Sequence, residues 1–174
     1  MTLLADVVDH LDRNGVRAAL IGAEALSLHG IVRATVDIDL LTVSRTVLTR
    51  EFWTALDDRS SIDVRRGDLE DPLAGVVRLR GGGGELLDLV VGKYEFQKAV
   101  VERAETGVFE GVSLPVVLLP DLVLLKLFAG GPKDAWDIQQ ILAAAQPSLI
   151  AEVEQRLPEL PADARQLWER IRVQ

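Results

Sequence analysis

The sequence predicts an α+β fold in which helices flank a mixed sheet, with a helical C-terminal part. Three observations carry this expectation. Segments that alternate with period two fill much of the first two-thirds of the chain, amphipathic helical segments are interspersed among them, and the last third reads as helix alone. With 174 residues, 48% apolar and 26% charged, the chain can bury a sizeable core and does not have the composition of a disordered protein. The expected organisation is a core over residues 1–119 and a helical part over 120–174, packed on it as one compact unit.

Leu3, Leu4, Val7, Val8 and Leu11 recur at helical spacing, and "RNG" closes that helix at Gly15. "VRAALIG" reads as a short buried strand, and "AEALSL" as a helix that stops at His29-Gly30. The strand "TVDIDLLT" follows. Ser44 is placed to cap a helix through "RTVLTREFWTALDD", where Val47, Leu48, Phe52, Ala55 and Leu56 make an apolar side. "IDVRR", "GVVRLRG" and "ELLDLVV" alternate as strands, and Gly81–Gly84 joins the last two as a hairpin. The glycine run does not read as a phosphate loop, because no Gly-Lys-Ser/Thr follows it. "YEFQKAVVERAE" is expected to be helical and "GVSLPVV" a short strand. Helices then span roughly 121–129, 133–145, 149–157 and 163–173.

The net charge of −8 argues against broad coating of nucleic acid, although a nucleotide or one RNA end could still be bound. Without cysteine there is no disulfide, zinc-thiolate site or cysteine nucleophile, so any metal is held by oxygen or imidazole ligands. The N-terminus carries Asp6 and Asp9 in place of a basic region. The most apolar stretch is broken by Pro115, Pro120, Asp121 and Lys126. A cytoplasmic protein without membrane association is expected.

Strand alternation places Asp37 and Asp39 on one face, opposite Val36, Ile38 and Leu40. Two neighbouring carboxylates among aliphatic residues need a metal ion, a cluster of Arg and Lys, or open water to offset desolvation and repulsion. Asp88 is embedded in the same way among Leu86, Leu87, Leu89 and Val90. If the two strands are neighbours, the three acids converge and could bridge two divalent ions about 4 Å apart, the arrangement that clamps both oxygens in phosphoryl transfer. The alternative left open is that Asp88 pairs with Arg78 or Arg80 from a neighbouring strand.

Other residues carry weaker signals. Gly22 removes a side chain where a strand turns into a helix, so backbone N–H groups could approach an anion there. Lys126 lies in an almost wholly apolar helix and must meet an anion or snorkel outward. Lys133, Asp134 and Asp137 share one helical turn, a pattern that a solvated N-terminus also explains. Arg33 could reach a phosphate or neutralise the acids. His29 reads as a capping or packing residue, Arg45 and Arg50 as a solvated helix face, and Trp53, Trp136 and Trp168 as core.

"LIGAEALSLHGIVRATVDIDLLT" resembles the Gly-Gly/Ser motif, helix and Asp-x-Asp strand of polymerase-β-type nucleotidyltransferases, and more narrowly the minimal bacterial AbiEii-like branch. "LPDLVLLKLFAGGPKDAWDIQQIL" resembles the lysine and Lys/Arg-Asp-x-x-Asp helices of that branch. The resemblance implies Mg²⁺ or Mn²⁺ on Asp37, Asp39 and Asp88, which would also be the catalytic acids. It implies an NTP held by Gly22, Ala23, Arg33, Lys126, Lys133, Asp134 and Asp137. The implied reaction moves a nucleoside monophosphate to a hydroxyl of RNA such as tRNA, of a protein or of a small molecule. A toxin–antitoxin pair with a cognate antitoxin is a further implication. Ala23 departs from the family, which usually has Gly or Ser there, and this supports the alternative of a non-catalytic nucleotide- or partner-binding module.

Overall fold

The computed structural model describes residues 2–32, 35 and 37–173. In chain order the elements are α1 (Leu3–Arg13), β1 (Ala18–Ile21), α2 (Gly22–Leu28), β2 (Asp37–Thr42), two 3-10 turns (Arg45–Leu48 and Glu51–Leu56), β3 (Ser60–Arg66), β4 (Gly75–Gly81) and β5 (Leu86–Val91). There follow α3 (Glu95–Arg103), β6 (Glu105–Phe109), β7 (Val112–Val116), α4 (Leu119–Ala129), α5 (Pro132–Ala144), α6 (Pro147–Arg156), a short 3-10 turn (Leu157–Glu159) and α7 (Ala162–Arg172). The mixed α/β architecture expected from the sequence is the one observed.

The strands form one seven-stranded sheet in the order β3-β4-β5-β2-β1-β7-β6. β2 runs parallel to β5 and β1 parallel to β7, while the remaining neighbours are antiparallel. This order puts the two strands that carry the aspartates side by side at the centre. One face of the sheet is sealed by α1, whose Leu3, Leu4, Val7 and Leu11 are buried, and by the 3-10 turns, which bury Val47, Leu48, Trp53 and Leu56. Val77, Leu79, Leu87 and Leu89 meet them from β4 and β5. The Trp53 indole is wholly buried and donates its N–H to Val47 O at 2.7 Å, so the large ring enters the core without an unpaired donor.

Three expectations are corrected. The segment expected as one helix from Ser44 is two 3-10 turns, because its Ser and Thr hydroxyls bond locally instead of leaving the backbone to helix. Thr49 Oγ1 donates to Thr46 O at 3.0 Å, Thr54 Oγ1 to Glu51 O at 2.9 Å, and the Ser44 and Thr46 hydroxyls lie 2.8 Å apart. The helix expected to continue to Glu105 ends at Arg103, and β6 pairs with β7 through a two-residue turn in which Glu110 and Gly111 both have positive φ, the hairpin geometry that matches strand twist. Trp136, expected in the core, is 53% exposed, whereas Trp53 and Trp168 are buried.

The C-terminal helices pack on one another and on α2 through α4. Their anchor to the sheet-bearing part is Asp121, which is fully buried. The Arg103 guanidinium forks onto it at 3.0 and 2.7 Å, and Arg156 approaches from α6 at 3.0 Å. No helix among the described residues is long and apolar enough to cross a membrane.

Candidate active site

The register across the sheet assembles the acids. Asp39 stands directly opposite Asp88 on the parallel β2–β5 pair, and Asp37 lies two residues earlier on the same face, opposite Leu86. Continuing outward, Asp88 is opposite Arg78 on β4, and Arg78 is opposite Asp63 on β3. Residues opposite one another share a face, so Asp63, Arg78, Asp88 and Asp39 form one row of alternating charge with a like-charged pair at its inner end. The opposite face at these positions belongs to Leu79, Leu87 and Leu40, which are buried. Alternation in the sequence therefore did place the three acids on one face, and the strand order makes them neighbours.

The inner carboxylates are half-buried, whereas Arg78 and Asp63 are exposed. Arg78 donates from Nε to Asp88 Oδ1 at 2.8 Å and from Nη2 to Oδ2 at 2.6 Å, the two-pronged geometry that suits guanidinium and carboxylate. The hydrogen bond that Arg78 donates to Asp88 raises the Arg78 pKa above its ordinary value, followed by the charges of Asp88, Asp37 and Asp63, so the side chain is a permanent cation. The pairing of Asp88 with a neighbouring-strand arginine, left open in the sequence, is the arrangement present.

Gly22 serves this cluster in a way that sequence inspection misses. Its φ is +71°, and a Cβ added there would lie 2.5 Å from Asp39 Oδ2. The bare Cα thus lets the Asp39 carboxylate sit against the β1–α2 junction, beside the buried Ala23. At the next residue, Glu24, burial and then the charge of Glu110 push the carboxyl pKa up from its ordinary value.

Lys126 is buried and its ammonium meets Asp137 Oδ2 at 2.5 Å and Asp134 Oδ1 at 3.5 Å. Neither a phosphate nor outward snorkelling is needed to offset its charge in this arrangement, because α5 supplies the anions. Asp134 also accepts the Gly131 N–H at 3.3 Å, reaching back from the third helical position to cap α5. Lys133 is exposed in the same first turn. His29, exposed at the C-cap of α2, donates from Nε2 to Val117 O at 2.9 Å. Arg33 lies outside the described residues.

Three carboxylates are the hard oxygen donors that Mg²⁺ or Mn²⁺ takes, so Asp37, Asp39 and Asp88, on one face of adjacent strands, fit such an ion in donor chemistry. In the present arrangement both Asp88 oxygens face Arg78. Among the described residues no group of three or more Asp, Glu or His side chains is set as a metal site. Among the cavities lined by the described residues, two with charged linings lie elsewhere. One of about 480 Å³ is lined by Asp6, Arg59 and Gly81–Gly83, and one of about 370 Å³ by Arg45, Arg66 and Lys93. Neither is lined by the three acids, which lie on the partly open sheet face.

A family described as "Nucleotidyl transferase of unknown function (DUF2204)" matches residues 1–171 of the chain. No curated protein matches it in sequence. Among solved structures, a Thermotoga maritima protein described as a candidate nucleotidyltransferase is similar at TM-score 0.58 and 18% identity, over 82% of this chain and 92% of that one. The antibiotic-resistance factor ANT(2'')-Ia is similar at TM-score 0.51 and 15% identity, over 98% of this chain and 90% of that one. The lincosamide antibiotic adenylyltransferase LnuA, in its lincomycin-bound form, is similar at TM-score 0.51 and 15% identity, over 82% and 96%. At identities this low, the likeness establishes the fold.

Proposed function

Because the chain belongs to this nucleotidyltransferase family, we propose that it moves a nucleoside monophosphate from an NTP to a hydroxyl acceptor and releases pyrophosphate, with Asp37, Asp39 and Asp88 holding Mg²⁺ or Mn²⁺. The observation that carries this reading is the register of Asp39 against Asp88, with Asp37 on the same face. A divalent ion bound there supplies Lewis-acid stabilisation of the charge that develops on the transferring phosphoryl group. The protein's own part is positioning. The two strands fix three carboxylates on a common surface, and a carboxylate at this site accepts the proton of the attacking hydroxyl. Gly22 and Ala23 border the acids where the triphosphate would lie. Arg33 and Lys133 are the cations proposed to meet it, with Lys126 ordered between Asp134 and Asp137 at the start of α5.

The acceptor is proposed from two directions. The structural neighbours named as an antibiotic-resistance factor and as a lincosamide antibiotic adenylyltransferase support a small-molecule hydroxyl. The resemblance to AbiEii-like proteins supports RNA such as tRNA, or a protein, and with it a place in a toxin–antitoxin pair. A second reading, a non-catalytic nucleotide- or partner-binding module, draws on the Arg78 fork over Asp88 and on Ala23 in place of a hydroxyl residue.

Incubation with each α-labelled NTP and Mg²⁺ or Mn²⁺, with bacterial RNA, bacterial protein and hydroxylated small molecules presented separately, tests the proposal. Label is expected on one acceptor class with the wild type and on none with Asp37→Asn. Measurable NTP binding with no labelled acceptor in any class would favour the binding module.

A further inference from the structure

We propose that Arg78 is an exchangeable counter-cation, which holds the Asp88 carboxylate in the metal-free protein and releases it when a divalent cation binds between Asp39 and Asp88. The inference rests on the proposed function and adds to it a positioning residue on β4, outside the segments that carry the family resemblance.

Asp39 and Asp88 face one another across a single strand spacing, and the Asp88 side chain is only 15% exposed. A half-buried pair of this kind needs a cation, and the guanidinium supplies one through two hydrogen bonds of 2.8 and 2.6 Å. The two partners differ in how well they can leave. The Arg78 side chain is 52% exposed, so its charge remains in contact with water when the fork opens, whereas Asp88 stays behind in the sheet. On the side away from Asp88, Arg78 stands opposite Asp63, whose Oδ2 accepts a hydrogen bond from Arg65 Nε at 2.8 Å. Asp63 therefore gives the displaced guanidinium a second carboxylate to turn toward, without any change of backbone. Arg78 thus lies in its row between an inner acid that a metal would claim and an outer acid that it would not.

The test is Mn²⁺ binding, measured by calorimetry or by the loss of the free-ion electron paramagnetic resonance signal, without nucleotide or turnover. Arg78→Gln removes the competitor and is expected to bind Mn²⁺ about tenfold more tightly than the wild type, the scale of one charge-assisted contact. Arg78→Lys, which keeps the charge but loses the fork, is expected to fall between the two. Arg80→Gln separates exchange from long-range repulsion. Arg80 is exposed on the same face two residues away and makes no ion pair among the described residues, so its loss reports the through-space effect alone. Asp63→Asn is expected to weaken binding more in the wild type than in Arg78→Gln, where only its through-space charge is lost, since only the former has a guanidinium to accommodate.

Thermal melting without metal shows whether each variant is folded, and Arg78→Lys carries the comparison if Arg78→Gln is not. Mn²⁺ binding by the wild type that is unchanged or weakened in Arg78→Gln, or strengthened no more than in Arg80→Gln, overturns the exchange and leaves the proposed function standing. An absence of Mn²⁺ binding in every folded variant overturns both.

Discussion

The carboxylate of Asp39 leaves no room for a side chain at position 22, and the backbone there is left-handed. Both constraints act on Gly22→Ala, which is expected to lose about 1–3 kcal/mol in urea unfolding and to lower nucleotidyl transfer by about tenfold or more through the displaced acid. A second residue-scale prediction concerns Glu24. Its carboxyl pKa is raised above the ordinary 4.5 by burial and by Glu110, so the folded state binds this proton more tightly than the unfolded one. The stability it contributes is therefore fully present below about pH 4.5 and is lost as pH rises through the folded value. Glu24→Gln should melt above the wild type at pH 7, and the difference should shrink as the pH is lowered toward 4. A difference that grows on acidification would reverse the sign of the argument. At this scale the sequence shows which residues are acids on apolar strands but not their partners. Arg78 and Arg80 alternate identically, and only the register through the Gly81–Gly84 turn selects Arg78 for Asp88.

Between elements, the same limit decides what could be read in advance. β4 and β5 were legible because alternation leaves one possible face for each residue, β2 because its two acids stand one residue apart in an apolar stretch, and α1 because its apolar stripe runs unbroken. The stretch from Ser44 failed because a 3-10 turn and an α-helix both bring apolar residues back every three or four positions, so periodicity cannot tell them apart. The signal that could have done so was the density of Ser and Thr, which cap their own turns. β6 was missed because Glu-Gly is not among the usual hairpin pairs, although both residues take positive φ here. Lys126 was legible as a lysine in need of an anion, but its partner was not, because the loop between α4 and α5 decides what it meets. The pair joins α4 to α5 inside the protein. Asp137→Ala, which strands a buried ammonium, should cost about 3–5 kcal/mol in chemical denaturation. The combined Lys126→Met, Asp137→Leu protein should recover most of that loss, and recovery of less than half would show that the pair does more than neutralise itself.

At the scale of the whole molecule, fold and family are established, and the proposed chemistry depends on how β2, β5 and the C-terminal helices are held together. Asp121 fastens α4 to Arg103 of α3 and to Arg156 of α6, and its hydrogen bond raises the Arg103 pKa. Asp121→Asn should lower stability by about 3 kcal/mol and separate melting of the C-terminal helices from that of the sheet, seen as two phases by calorimetry. A single unshifted transition would show that apolar packing alone joins them. In the sequence Asp121 reads only as a break in the most apolar stretch, because its two arginines come from positions 18 residues before and 35 after it, beyond any local pattern.

Transfer at the Asp37–Asp39–Asp88 cluster is read from the balance of products from one labelled NTP once its acceptor is in hand. Wild-type protein should release pyrophosphate and attach α-label to the acceptor in equal amounts, and Asp39→Asn, folded by its melting curve, should do neither. Free nucleoside monophosphate in place of labelled acceptor, or an Asp39→Asn protein that transfers at the wild-type rate, would contradict it.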